Sequence, residues 1–273
     1  MNLIHVVVLS IIEGLTEFLP ISSTAHQILT SFLLKIPQTD FLATFEIAIQ
    51  IGAIAAVVVI FCKKILSKKD LFYKACVGFI PTGILGFVLF KHIKSLLNSA
   101  SIPVFTLFLG GIAIIGIEIY FRSKDKSRKT LDNSKKIENK NLKNLTKLTY
   151  KDALIVGLIQ SISMIPGVSR SAASIFGAMA LKFDRESAVE FSFLLAIPTM
   201  VAATSLDLLK APAIDSTQIL DLIIGTLIAF ITALLVIKWL LKFVQKNNFI
   251  GFGIYRIVIA LTYLLLFYNT IFR

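Results

Sequence analysis

Long apolar stretches separated by short polar or basic ones run along most of the chain. A membrane-spanning helix needs about 20 mostly apolar residues, and six stretches meet that length. They lie at about 41–61, 75–91, 102–121, 187–206, 218–240 and 250–270. The pattern therefore predicts an all-α polytopic membrane protein with six transmembrane helices.

Two further apolar stretches, about 5–34 and 152–181, are interrupted in the middle by proline, serine and charged residues. Irregular backbone and charge persist at membrane depth only where they are buried in protein or line a wet cavity. Both stretches are therefore predicted to be re-entrant helical hairpins.

Composition supports this class and excludes others. Of the 273 residues, 56% are hydrophobic and 16% are charged, and the mean hydropathy is +0.83; soluble domains have about 25% charged residues. A soluble domain, a disordered tail and a nucleic-acid partner are not expected. The net charge of +12 is expected instead in cytoplasmic loops.

Basic loops alternate with loops that are poor in lysine and arginine, which sets the predicted orientation. Loops 62–74 and 122–150 are basic and are predicted to face the cytoplasm. The second of these, also rich in asparagine and serine, is predicted to be a mobile linker between two halves. On this orientation the first hairpin opens outward and the second opens toward the cytoplasm.

The two halves repeat one order of elements, a hairpin followed by three spans. Pro20 and the serines after it echo Pro166 with its serines, and Glu46 echoes Glu190. Three spans are an odd number, so the second half is predicted to be inverted, with both hairpins near the midplane where binding sites form. The predicted division is a first repeat at 1–121, a linker at 122–150 and a second repeat at 151–273.

The first hairpin carries two carboxylates and a serine–histidine pair. Glu13 and Glu17 are four residues apart and share one helix face. Buried carboxylates repel unless they share a metal or a proton, so they predict an acid/base pair or a cation site, Mg²⁺ or Ca²⁺ by ligand type. The alternative is a structural water cavity. Ser22 and Ser23 are either helix caps or, with His26 as the proton acceptor of Ser23, an activated nucleophile.

The second hairpin carries Ser169, Arg170 and Ser171. An arginine inside a membrane segment predicts a functional site, and its planar fork matches phosphate oxygens. The alternative is a buried ion pair with Glu13, Glu17 or Glu46, which a substrate could displace. Together the two hairpins predict phosphoryl transfer on a lipid phosphate.

Other polar span residues have less specific predictions. Glu46, Gln50 and Glu190 are expected to support the hairpins by hydrogen bonding or to contact metal or substrate directly. Tyr255 and Arg256, near the start of the last span, are expected at the membrane interface.

Two motifs resemble the signatures of the BacA/UppP family of bacterial undecaprenyl-diphosphate phosphatases. They are Glu13-Gly-Leu-Thr-Glu17-Phe-Leu-Pro20-Ile-Ser22-Ser23-Thr-Ala-His26 and Pro166-Gly-Val-Ser169-Arg170-Ser171. The resemblance covers essentially the whole chain. It implies hydrolysis of undecaprenyl diphosphate to undecaprenyl phosphate and inorganic phosphate, which recycles the cell-wall lipid carrier and confers bacitracin resistance. It also implies a divalent cation, an inner-membrane location with an outward-facing site, and a possible homodimer.

The resemblance also assigns roles to residues of this chain. Ser23 matches the nucleophile, Arg170 the phosphate clamp and His26 the general acid/base, while Glu13 and Glu17 match the acidic pair tied to metal and catalysis. The pocket is implied to be lined by further residues, namely Ser22, Thr24, Ser169 and Ser171. A covalent phosphoserine and direct attack by water both stay open.

The chain departs from the family pattern at Ala25 and Ala172, where glycine is usual. If those glycines have a positive φ, alanine costs about 1 kcal/mol or more; if they serve only close packing, alanine is tolerated.

The main alternative function is a polyprenyl-phosphate transporter or flippase with the same fold. Inverted repeats are transporter architecture, but a carrier needs no serine and histidine beside two glutamates. An intramembrane serine protease is disfavoured because Arg170 suits an anion and not a peptide carbonyl.

Overall fold

The computed structural model describes residues 1–89, 96, 101–130, 142–209 and 215–266. These residues form α-helices joined by short connections, with no β-strand among them. The helices are α1 Leu3–Thr16, α2 Ser23–Leu33, α3 Asp40–Ala48, α4 Gln50–Ser67, α5 Lys69–Val88, α6 Ser101–Thr130, α7 Tyr150–Gln160, α8 Arg170–Ala180, α9 Arg185–Leu208, α10 Ser216–Lys246 and α11 Ile250–Leu266. The all-α fold class is confirmed.

Five helical segments in the described residues are long and apolar enough to cross a membrane. They are Asp40–Ser67 (α3 and α4 together), Lys69–Val88, Ser101–Phe121, Arg185–Leu208 and Ser216–Lys246. They correspond to five of the six predicted spans. The sixth, 250–270, corresponds to α11, a shorter apolar helix, and continues past the described residues. The chain is a multi-pass membrane protein.

Both stretches predicted as hairpins are helix–break–helix units. In the first, α1 and α2 flank a break at residues 17–22; in the second, α7 and a 3₁₀ turn at Ser161–Met164 precede a break at 165–169, after which α8 begins. The second unit repeats the first at an offset of 147 positions. Ser169 is equivalent to Ser22, and α2 and α8 both have 11 residues. Re-entry into the membrane, inversion and the boundaries of the two repeats stay predictions.

The segment predicted to be a linker is partly structured. α6 continues to Thr130 instead of ending near 121. At the other end Leu145 and Leu148 are buried, and Lys143 lies 3.1 Å from the Asp152 carboxylate. The leucines explain why this end packs against the bundle, because apolar side chains leave water when a core is near. Residues 131–141 lie outside the described residues.

The centre of the bundle is α9, whose Phe191, Phe193 and Leu195 are buried. Around it, helices approach closely where glycine faces glycine, as is usual between membrane helices. α5 and α7 meet at Gly78 and Gly157, where a Cβ on Gly157 would lie 1.7 Å from the Gly78 carbonyl oxygen. This contact holds the helix that leads into the second break.

Gly157→Ala is expected to destabilise the protein, because the added methyl group forces α5 and α7 apart. Overpacking of this kind costs about 1–3 kcal/mol. Thermal unfolding in detergent should show a lower melting temperature for this variant. Gly251→Ala, where a Cβ meets nothing within 4 Å, should match or exceed wild type, since alanine favours helix. Equal melting temperatures for Gly157→Ala and wild type would contradict the packing argument.

Candidate active site

The two breaks bring the starts of α2 and α8 to one cavity of about 140 Å³. Because each helix start carries free N–H groups and a partial positive charge, two of them facing one cavity favour an anion. The cavity is lined by ten residues, namely Glu17, Ser22, Ser23, Thr24, Gln50, Ser163, Gly167, Ser169, Arg170 and Met200.

Glu17 connects the two units at this cavity. The Ser23 hydroxyl donates to Glu17 Oε2, and Arg170 Nη2 donates to Glu17 Oε1 at 2.9 Å. Both charged side chains are largely buried, with 7% and 12% of their surface exposed. The ion pair raised as an alternative reading of Arg170 is therefore formed, with Glu17.

Arg170 has other contacts that fix its plane. Nη1 donates to the Ser192 carbonyl at 3.1 Å, and the guanidinium lies over the Phe18 ring, 5.5 Å from its centroid. Its Nε is buried and has no hydrogen-bond partner. An unmatched buried donor on a cavity-lining arginine is suited to an anionic ligand.

Each break ends in a serine with a left-handed backbone. Ser22 has φ 71° and Ser169 has φ 80°. Their hydroxyls accept from the N–H groups of Ala25 and Ala172, at 3.4 and 3.2 Å, so both serines act as helix caps. The strained residues are thus the serines, and the two alanines lie inside α2 and α8 with ordinary helical backbone. Alanine at these positions needs no positive φ.

Ser171 does not line the cavity. It is fully buried, and its hydroxyl donates to the Leu19 carbonyl at 2.7 Å and lies 3.0 Å from the Ser169 hydroxyl. It therefore ties the start of α8 to the first break.

His26 is not placed as the sequence predicted. Its Nδ1 lies 2.7 Å from the Ser22 carbonyl oxygen, and its Nε2 lies 2.9 Å from the Tyr255 hydroxyl. Both ring nitrogens are engaged away from Ser23, and the ring stacks on Tyr255. The expected hydrogen bond between His26 and Ser23 is replaced by one between Glu17 and Ser23. The residue is also absent from the cavity wall.

Glu13 does not line the cavity. It is 1% exposed; its Oε2 accepts from Gln27 Nε2 at 3.2 Å, while its Oε1 is buried without a partner. In the part of the chain that the structure describes, no group of three or more histidine, cysteine, aspartate or glutamate side chains is arranged to hold a metal ion. A cation here would therefore have few protein ligands.

The pair of echoed glutamates is not equivalent. Glu190 forms a 2.5 Å ion pair with Lys64, whereas Glu46 has a buried Oε1 with no partner. Gln50, on the same span as Glu46, does reach the cavity. The structure therefore supports direct ligand contact for Gln50 and a supporting ion pair for Glu190.

The interfacial prediction for Arg256 was wrong. Its side chain is fully buried and donates to five backbone carbonyl groups. Tyr255, expected to be an interface anchor, is 40% exposed but also binds His26. Its position near the end of an apolar span suggested an exposed arginine. The sequence does not show that the helix breaks, far away along the chain, leave carbonyl groups that need a donor.

Sequence reasoning also missed Ser163, Gly167 and Met200 as cavity residues. Gly167 had a usable signal, since a glycine directly after proline often marks a turn. Its φ is +90°, and a Cβ there would lie 1.9 Å from Thr106 Oγ1. Ser163 and Met200 had no distinguishing pattern.

Comparison with known proteins identifies close relatives over nearly the whole length. The undecaprenyl-diphosphatase of Sulfurihydrogenibium sp. is 46% identical over 266 residues, which cover 97% of this chain and 99% of that protein. That of Wolinella succinogenes is 44% identical over 97% of this chain and 98% of its own. That of Campylobacter jejuni is 42% identical over 99% and 97%.

A family match agrees with these relatives. The sequence model described as bacitracin resistance protein BacA matches residues 6–262, a range that contains both breaks and every residue of the cavity wall. The chain belongs to the bacitracin resistance protein BacA family.

Proposed function

We propose that this protein is an undecaprenyl-diphosphatase, which hydrolyses undecaprenyl diphosphate to undecaprenyl phosphate and inorganic phosphate. The observation that carries the proposal is the shared carboxylate of Glu17, which joins Ser23 and Arg170 in a cavity between two helix starts. Family membership and the names of the relatives agree with it. The activity returns the lipid carrier to cell-wall synthesis and gives resistance to bacitracin.

The cavity suits the terminal phosphate of such a substrate. Arg170 supplies a planar donor set with one unmatched N–H. The starts of α2 and α8 add backbone N–H groups, and Thr24 and Gln50 add polar side chains on the wall. When the phosphate enters, Arg170 exchanges part of its contact with Glu17 for phosphate oxygens, so the carboxylate becomes available to take a proton.

Ser23 is the proposed nucleophile, with Glu17 as its base. The Ser23 oxygen forms a bond to the terminal phosphorus, the bond to the bridging oxygen breaks, and undecaprenyl phosphate leaves. The serine proton passes to Glu17, which already accepts its hydrogen bond. Water then attacks the phosphorus and the bond to the Ser23 oxygen breaks. The proton held by Glu17 returns to that oxygen, and inorganic phosphate leaves with both protons of the water. The hydrogen bond between the proposed nucleophile and its base supports this two-step route.

The role proposed for His26 differs from the general acid/base role that the resemblance implies. Because its ring binds the Ser22 carbonyl and the Tyr255 hydroxyl, it holds the left-handed cap of α2. It acts on Ser23 through the backbone next to it and not by direct proton transfer.

The residues present fit a divalent cation that has few protein ligands. Glu13 offers one buried, unpartnered oxygen, and Glu17, one helical turn away, offers Oε1 once Arg170 has exchanged it for phosphate oxygens. Mg²⁺ commonly binds one or two carboxylates together with water and substrate phosphate oxygens, so Glu13 and Glu17 are the proposed ligands, with Ca²⁺ as the other candidate. Such an ion neutralises charge that develops on phosphate oxygens.

The setting in the cell is also part of the proposal. The substrate is a membrane lipid, and the many apolar spans agree with a multi-pass location. We place the protein in the bacterial inner membrane with the cavity open to the outer side, on the basis of the basic loops. Assembly as a homodimer stays a prediction from the resemblance.

Ser23→Ala is expected to lower phosphate release from a C55 or shorter polyprenyl diphosphate by several orders of magnitude, since it removes the attacking oxygen. Arg170→Lys, which keeps the charge but loses the fork, is expected to lower it on the order of 100-fold. Phosphate release by purified protein in detergent measures both.

The matched control is Ser31→Ala. Ser31 is a buried serine of the same helix whose hydroxyl donates to the Gln27 and Ile28 carbonyls of that helix, so wild-type release is expected. Wild-type protein that is folded and inactive across several divalent cations would overturn the phosphatase and favour the transporter.

Glu17→Gln is expected to reduce turnover by about 10²–10⁴-fold, the usual contribution of a general base. His26→Gln should reduce it less, because it keeps a polar group near the Ser22 carbonyl. Acid quench of wild type with labelled substrate should trap phosphate on Ser23. A larger loss in His26→Gln than in Glu17→Gln would restore histidine as the base, and an active enzyme that never carries label would favour direct attack by water.

Removal of divalent cations with EDTA is expected to abolish release, and added Mg²⁺ to restore it. Glu13→Gln should raise the Mg²⁺ concentration for half-maximal activity by at least the roughly 10–100-fold that loss of a group supporting a metal ligand costs, because Glu13 is proposed as a direct ligand. Calorimetric titration of Mg²⁺ into the protein provides a readout that does not depend on turnover. Glu190→Gln, which changes a carboxylate paired with Lys64, should leave Mg²⁺ binding unchanged; equal affinities for wild type and Glu13→Gln would exclude Glu13 as a ligand.

A further inference from the structure

Arg256 of α11 has a role that the proposed reaction does not yet use. Its guanidinium is fully buried, and each of its five N–H groups has a carbonyl partner. Nε donates to Leu107 at 3.3 Å, Nη1 to Pro20 at 3.2 Å and Val168 at 3.0 Å, and Nη2 to Thr106 at 3.0 Å and Gly167 at 2.7 Å. Five bonds from one side chain leave it a single orientation.

The five carbonyl groups come from three separate segments. Pro20 belongs to the first break, Gly167 and Val168 to the second, and the remaining two lie on α6. Pro20 and Gly167 are 147 positions apart, so Arg256 binds equivalent carbonyl groups of the two units. Arg256 therefore lies between the two breaks and connects both of them to α6.

These carbonyl groups lie next to the residues that start the helices at the cavity. Pro20 is two residues before Ser22, and Gly167 is two residues before Ser169; both serines are left-handed helix caps. Break residues have no helical ladder to hold them, and a buried carbonyl group left without a donor is costly. The direction of α2 and α8 toward the cavity thus depends on bonds from outside the breaks.

Arg256 has no carboxylate within ion-pair distance among the described residues. An acidic side chain would neutralise the charge of this arginine. Here every donor of Arg256 is hydrogen-bonded to a neutral carbonyl oxygen instead. This arrangement indicates that the arginine is buried for the geometry of its hydrogen bonds and not for charge neutralisation. Among side chains, only a guanidinium offers five donors in one plane.

We infer that Arg256 is a positioning residue for phosphate hydrolysis, which fixes the two breaks so that the starts of α2 and α8, with Ser23 and Arg170, face one phosphate. The inference rests on the proposed function. It does not make Arg256 a catalytic residue, because it does not line the cavity and all its donors are used.

The first test replaces the side chain. Arg256→Gln can satisfy at most two of the five carbonyl groups and Arg256→Lys at most three. Per folded molecule, kcat for phosphate release is expected to fall on the order of 100-fold in Arg256→Gln, the effect of about 1 Å of misplacement, and by a smaller factor in Arg256→Lys. KM should change much less, because Arg170 remains.

A second test moves the guanidinium without removing it. In Gly110→Ala the new Cβ would lie 2.1 Å from Arg256 Nη2 and 2.7 Å from Cζ, so the guanidinium must shift. Gly116→Ala lies on the same helix, and its Cβ would meet nothing within 4 Å. We expect a lower kcat for Gly110→Ala and a wild-type kcat for Gly116→Ala. This pair keeps the inference testable if Arg256→Gln does not fold.

The outcomes separate positioning from plain stabilisation. Monodisperse protein is assayed below its melting temperature, with Arg185→Lys as an arginine control away from the cavity wall. Lower kcat in the folded Arg256 and Gly110 variants supports the inference. Lower melting temperatures with unchanged kcat, or full wild-type kcat in Arg256→Lys, would overturn it. An inactive wild type would instead refute the proposed function itself.

Discussion

The site depends on one buried carboxylate. Glu17 accepts from Ser23 on one oxygen and from Arg170 on the other, and these two donors come from chain segments about 150 residues apart. Removing one partner from a buried ion pair costs about 3–5 kcal/mol, because the other charge stays uncompensated. The contact therefore links assembly of the two halves to the chemistry, and only a ligand with its own negative charge can replace Glu17 at Arg170 without that penalty.

The breaks are what make this contact reachable. A continuous helix would satisfy its own backbone and expose only side chains, whereas a break gives free N–H groups at the start of the next helix. The left-handed serines Ser22 and Ser169 set the turn, and their hydroxyls then cap the helices that they begin. Backbone strain of about 1–3 kcal/mol at each is offset by contacts from outside, among them three hydrogen bonds from Arg256 to break carbonyls.

The sequence predicted the spans and the two interrupted segments because both are composition effects. Apolar length predicts a span, and charge in an apolar segment predicts burial, so Glu17, Ser23 and Arg170 could be assigned to one site. The hydrogen-bond partner of each side chain could not be predicted. His26 was assigned to Ser23 on spacing, but one helical turn does not determine where a ring points, and Tyr255, 229 positions away, competes for it.

The hydrogen-bond partners of Arg256 could not be predicted either. Its partners are main-chain oxygens, which every residue carries, so no pattern of side chains could reveal them. The question raised by Ala25 and Ala172 likewise needed backbone angles: positive φ falls on the serines three residues earlier, and the alanines have helical backbone.

The offset of 147 positions shows that the two units share a backbone but not a chemistry. The positions equivalent to Glu13, Glu17, Ser23 and His26 are occupied by Gln160, Met164, Arg170 and Ala173. One unit thus holds the acids and the proposed nucleophile, and the other holds the positively charged Arg170. Two copies of the first unit would lack a clamp for the phosphate, and two copies of the second would lack an attacking group. If an ancestral duplication produced the pair, hydrolysis by this mechanism began only after the copies diverged, and neither half can now substitute for the other.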